Sequence, residues 1–179
     1  MKARLAEIET EKHISPLPPA IISAALIIPQ GLLQIIKGKS ELNTSNDGDK
    51  KKIELIAMNA VMQAEIQQGH QPRDVSAQKC GYDIESVIPS DEGRESLRFI
   101  EVKGRAKGAK TVTVSANEVS ASFNNKDSFI LALVEIDDGA VSNLVYLRNP
   151  FISLLDFTMT SANYEIKKLI QRSEIVYNG

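Results

Sequence analysis

Residues Gly81–Arg105 read GYDIESVIPSDEGRESLRFIEVKGR, and the fold of the chain turns on how this stretch is paired. Its last part, FIEVKGR, alternates like a strand: Phe99, Glu101 and Lys103 share one face, Ile100 and Val102 the other. Both faces carry apolar residues, as a covered central strand requires. GYDIES is a second strand, and Pro89–Glu95 is the polar turn between them. An antiparallel pair folded about Glu92 sets Val87 opposite Leu97, Glu85 opposite Phe99 and Asp83 opposite Glu101. Facing carboxylates repel, so a cation or a shared proton is needed to reconcile them. Asp83, Glu101 and Lys103 are thereby expected to converge on one spot.

A D…(E/D)-x-K set on two neighbouring strands resembles the PD-(D/E)XK nuclease superfamily. The longer run PRDVS, GYDIES, FIEVKGR is similar to one branch, the NO VEIN C-terminal (NOV-C) domain, over roughly Lys51 to Leu169. That resemblance implies a restriction-endonuclease-like αβββαβ core. It implies Mg²⁺ or Mn²⁺ held by Asp83, Glu101 and the Val102 carbonyl, with Lys103 placed to stabilise charge on an attacking water. A further glutamate from the first helix is implied as well. Such domains also resemble C-terminal parts of large helicase-like and restriction-like proteins, which implies a linked or associated ATPase.

Outward from this stretch, Lys51–Gln68 is the clearest helix. Ile53, Ile56, Ala57, Ala60, Val61 and Ala64 form its apolar stripe, and Gly69 ends it. Glu54 and Glu65 edge that stripe; Glu65, nearer the end leading into the strands, is the candidate fourth carboxylate. Asp74 in PRDVS is read as capping nearby amides. Arg98, Arg105, Lys107 and Lys110 are expected near the site, the last three as a phosphate-tracking patch, with Tyr82 a base-stacking candidate or a core tyrosine. Beyond them come a short strand from Thr111, a capping box Ser115–Glu118 opening a helix to about Phe123, and a buried strand Phe129–Ile136. Asp137–Gly139 turns the chain into Leu144–Leu147, and Ser161–Arg172 is read as the last helix.

Before Lys51, residues 1–50 read as an extension: a charged helix end, an apolar hairpin over Pro16–Ile36 and a polar linker Gly38–Lys50. Pro29-Gln30-Gly31 breaks the apolar run, so a membrane span is not expected. The domain proper is then 51–179. The whole chain of 179 residues, 42% hydrophobic and 25% charged, can bury a full core. A formal charge of −2 excludes grip on nucleic acid through a global field, so any contact needs a local patch. The single cysteine, Cys80, permits no internal disulfide and suits a reducing, cytoplasmic setting. His13 and His70 are isolated, and no zinc spacing exists.

The expected architecture is α/β, a mixed β-sheet flanked by helices. The expected function is metal-dependent phosphodiester hydrolysis, on DNA ahead of RNA. The alternatives are a module that binds nucleic acid without cleaving it, and a partner-docking domain in which Asp83, Glu101 and Lys103 form an internal ion network. A homodimer is compatible with either.

Overall fold

The computed structural model describes Arg4, residues 47–90 and residues 95–179. The apolar hairpin expected at Pro16–Ile36 and the turn residues 91–94 lie outside these.

Helix α1 (Asp47–Gln67) opens four residues ahead of the expected Lys51, so the end of the supposed linker is helical. Gly69 stops it with a left-handed φ of 80°, which a residue bearing a Cβ adopts only under strain. There follow β1 (Gln71–Asp74), a 3₁₀ turn (Ser76–Gln78), β2 (Ile84–Ile88), β3 (Ser96–Ala106), β4 (Thr111–Ser115) and α2 (Ala116–Asn124). The chain closes with β5 (Phe129–Asp137), β6 (Ala140–Arg148), β7 (Ser161–Glu165), α3 (Ile166–Arg172) and β8 (Glu174–Asn178).

Six strands form one sheet in the order β1-β2-β3-β5-β6-β8. Every neighbouring pair is antiparallel except β3 and β5, which run parallel. Parallel neighbours need a crossover, and β4 with α2 supplies it. The protein is therefore an α/β domain with a mixed sheet and helices on its faces. β5 shows why the sheet is central: Ile130, Ala132, Val134 and Ile136 pack in the cluster that holds α1. Phe129, Leu131 and Leu133 turn to the opposite cluster, where α2, α3 and β4 pack. Burial on both faces leaves no polar alternation along the strand, and each fully buried aliphatic side chain contributes about 1.5–3 kcal/mol.

The β2–β3 register is the one expected, with Val87 opposite Leu97 and Glu85 opposite Phe99. Three expectations need correction. The αβββαβ order is present, but its first strand is β1, in the stretch read as a capping loop, and the Thr111 strand is not part of the main sheet. Pro72 is tolerated because β1 is an edge strand with β2 as its partner. β4 instead pairs with β7 in a separate two-stranded ribbon. The supposed single helix from Ser161 accordingly divides into strand β7 and the short helix α3. In SANYE the even positions, Ala162 and Tyr164, turn inward and pair across from Val114 and Val112.

Candidate active site

Asp83 stands just before β2, and its backbone is clamped on both sides. Its N–H donates to the Ile100 carbonyl at 2.9 Å, and its own carbonyl accepts from Val75 N at 2.8 Å. β2 stops at Ile84 while β3 runs on to Ala106, so the β3 edge is uncovered beyond Ile100. The Asp83 carboxylate takes up this gap, with Oδ2 accepting from Val102 N at 3.0 Å. Strand geometry points the Val102 carbonyl toward the same edge as its N–H.

Glu101 and Lys103 project from β3 on the face away from α1. Glu101 is buried, and Lys103 is mostly so, with a side chain 14% exposed. The Lys103 Nζ lies 2.5 Å from Glu101 Oε1 and 2.8 Å from Glu118 Oε2. Glu118 comes from the first turn of α2, where the Ser115–Glu118 capping box closes reciprocally: Ser115 N donates to Glu118 Oε2 at 3.0 Å and Glu118 N to Ser115 Oγ at 3.3 Å. These groups open into a cleft of about 530 Å³, lined also by Glu54, Leu55 and Met58 of α1 and by Asp74 and Arg105.

Burial sets the protonation of the site. It pushes the Glu101 carboxyl up to about 8, helped by the Asp83 and Glu118 charges and opposed by Lys103. Burial also raises Asp83 above its ordinary value, although the Val102 N–H and Lys103 pull the other way. At Glu118 burial again opposes ionisation, but the Lys103 ammonium and the Ser115 hydrogen bonds outweigh it and hold the carboxyl low. At Lys103 burial opposes the charge, and Glu101 with Glu118 more than restores it. Glu118 is thus held ionised and Lys103 charged, while burial works against the charge of Glu101.

The structure brings Asp83, Glu101, Val102, Lys103 and Arg105 of the expected set together in this cleft. It does not bring Glu65. That side chain is fully buried deeper along α1, with Oε1 accepting from Arg98 Nη1 at 3.0 Å and Oε2 lying 3.0 Å from His70 Nδ1. Eleven residues of helix carry Glu65 some 16 Å along the axis from Glu54, so one helix cannot offer both to the same site. The α1 glutamate in the cleft is Glu54. Arg98, also expected near the site, is held in the Glu65 network.

Tyr82 stacks on Phe99 at 4.7 Å between ring centroids and donates to Glu85 Oε1 at 3.1 Å, as a packing tyrosine does. Lys107 pairs with Asp137 at 2.6 Å on the surface, and Lys110 is exposed; neither lines the cleft. Asp74 does cap as expected, its Oδ1 accepting from Ser76 N at 2.9 Å and Ser76 Oγ at 2.7 Å. Glu118 was visible in the sequence as a helix cap and not as a partner of Lys103. The signal available was its place at the start of the first helix after β3.

Among the described residues no three Asp, Glu, His or Cys side chains converge closely enough to form a metal cage by themselves. Asp83 and Glu101 offer a different kind of site: two hard carboxylate donors in a polar cleft, a set that Mg²⁺ takes together with water and substrate oxygens. Two hard oxygen donors converging at the edge of an open cleft fit such an ion.

The fold and this cleft define a mixed-sheet α/β domain whose acidic site is built on a parallel-paired central strand. A family model described as "Protein NO VEIN, C-terminal" matches residues 53–147, just over half of the chain, and the chain belongs to that family. The matched span runs from α1 into β6 and contains Glu54, Asp83, Glu101, Lys103 and Glu118. Comparison with curated proteins and with solved structures found no match. Among the described residues no helix is long and apolar enough to cross a membrane.

Proposed function

We propose that this domain is a divalent-metal-dependent nuclease of the PD-(D/E)XK type, hydrolysing phosphodiester bonds in DNA. The observation that carries the reading is the pairing of two carboxylates, half-buried Asp83 and buried Glu101, beside the half-buried Lys103 in an open cleft. Asp83, Glu101 and the Val102 carbonyl would hold Mg²⁺ or Mn²⁺. When bound, the ion would supply Lewis-acid polarisation of the scissile phosphate and a more acidic water.

The protein's own groups do the rest. The hydrogen bond from Val102 N fixes the Asp83 carboxylate, so little ordering is left to be done on binding. Lys103 brings a compact charge to the cleft, suited to an attacking oxygen and to a phosphoryl group gaining negative charge. Arg105, kept at the cleft by the hydrogen bond from its Nη1 to the Gly104 carbonyl at 2.7 Å, is the cation placed to meet a flanking phosphate. Glu54 is the α1 carboxylate that lines the same cleft. A larger protein carrying, or joined by, a helicase-like motor would deliver the strand.

The test is cleavage of plasmid, linear duplex and single-stranded DNA, and of RNA, with Mg²⁺ or Mn²⁺. The wild type should cut at least one substrate. Asp83→Asn and Glu101→Gln should abolish cutting, and Lys103→Ala should slow it about 10²–10³-fold while metal still binds. Wild type as inert as these variants, yet retaining nucleic acid, would establish the non-cleaving binding module instead. Cutting that survives Lys103→Ala undiminished would place the chemistry elsewhere.

A further inference from the structure

Lys103 is shared. Its ammonium bridges Glu101 Oε1 and Glu118 Oε2, so one partner belongs to the carboxylate pair at the β3 edge and the other to a helix cap. The Ser115 N–H, 3.0 Å from Glu118 Oε2, keeps that carboxylate from following the lysine. A cation bound at Glu101 competes with Lys103 for the charge of that carboxylate, because the two positive groups repel in a poorly solvated setting. Without Glu118 the half-buried ammonium would have Glu101 as its one carboxylate contact among the described residues, and would oppose the binding of a second cation there.

We propose that Glu118 is the positioning residue of this site: it holds the Lys103 ammonium in the cleft and frees Glu101 to bind a divalent ion. This rests on the reading of Asp83 and Glu101 as the metal-binding pair. It gives the α2 capping box a second task beyond satisfying two helix amides. It also separates Glu118 from the ligand set, since its contact is with Lys103.

A double-mutant cycle read by Mn²⁺ calorimetry tests it, using the whole chain in four forms: wild type, Glu118→Gln, Lys103→Met and the double variant. Glutamine also serves at the third position of a capping box, so Glu118→Gln should keep α2 folded, which circular dichroism and melting temperature check. The expected result is non-additive. Glu118→Gln should weaken Mn²⁺ binding when Lys103 is present by about tenfold more than when Lys103 is methionine, the scale of coupling between groups in contact. An equal loss in both backgrounds would overturn the proposal, because Glu118 would then act as a ligand or through its field alone. No loss in either background would overturn it too, and leave Glu118 as a helix cap. Wild type that binds no Mn²⁺ would sink the metal-dependent reading itself and this inference with it, an outcome distinct from binding with additive losses.

Discussion

Burial pushes the Glu101 carboxyl up to about 8, against the pull of Lys103 and with the help of Asp83 and Glu118. That has a consequence for stability. In the unfolded chain the same group ionises near 4.5, so between pH 4.5 and about 8 the native state holds the extra proton. Stability therefore falls as pH rises through this window and levels off above it. Lys103 runs in the same direction at higher pH, its raised value contributing stability that is present at neutral pH and lost only in strong alkali. Glu101→Gln removes the titration while keeping the shape. It should raise the melting temperature of the metal-free protein at pH 8.5 by a few degrees and leave it nearly unchanged at pH 4.5. Parallel melting curves for wild type and variant at all pH values would mean that Glu101 is not held protonated. The Asp83–Glu101 juxtaposition itself could be read from the alternation of FIEVKGR against GYDIES, since a hairpin register follows from local pattern. The protonation could not, because it depends on what α2 and Lys103 place around Glu101.

At the scale of elements, α1 and β3 meet at Gly104. A Cβ built there would lie 2.9 Å from both the Ala57 Cβ and the Ile53 carbonyl, so the glycine is what lets the helix come down on the strand. The close approach this glycine permits is internal, between helix and strand. Gly104→Ala should push α1 outward and cost about 1–3 kcal/mol, the usual penalty for overpacking a close contact. Since Glu54, Leu55 and Met58 ride on α1 and line the cleft, the variant should also weaken metal binding. Chemical denaturation with calorimetry checks both, and a variant as stable as wild type would show that the helix has room to shift. The β4–β7 ribbon belongs to this scale as well. SANYE has a strand's alternation, but the apolar residues that follow continue it as plausibly into a helix. What selects the strand is β4, whose edge β7 covers.

Across the whole molecule, the sheet separates two polar centres of different kinds. The cleft is open and its charges are in competition. The Glu65 network is closed: Arg98 and His70 meet both carboxylate oxygens, and Tyr146, fully buried, has its hydroxyl pushed well above the tyrosine range by burial and by Glu65. This network ties the end of α1 to β3 and the β6 tyrosine, and so holds the helix whose other end reaches the cleft. Glu65→Ala would leave the largely buried Arg98 guanidinium without this carboxylate. It should cost about 3–5 kcal/mol, measured by denaturant unfolding, with the residual folded protein keeping its metal affinity. A selective loss of metal binding without loss of stability would return Glu65 to the site.

The sequence alone determined what depends on near neighbours. The β2–β3 register, the apolar stripe and glycine stop of α1, the buried β5 and the Ser115–Glu118 cap all follow from period, turn chemistry and hydrogen bonds spanning a few residues. Tertiary structure decided the rest: which glutamate of α1 enters the cleft, which carboxylates share Lys103, that Arg98 is withdrawn into a buried pair, and that β4 leaves the sheet for β7. Each of these is settled by contacts between segments far apart in the chain, where the free energy of burying a charge or covering a strand edge outweighs any local preference.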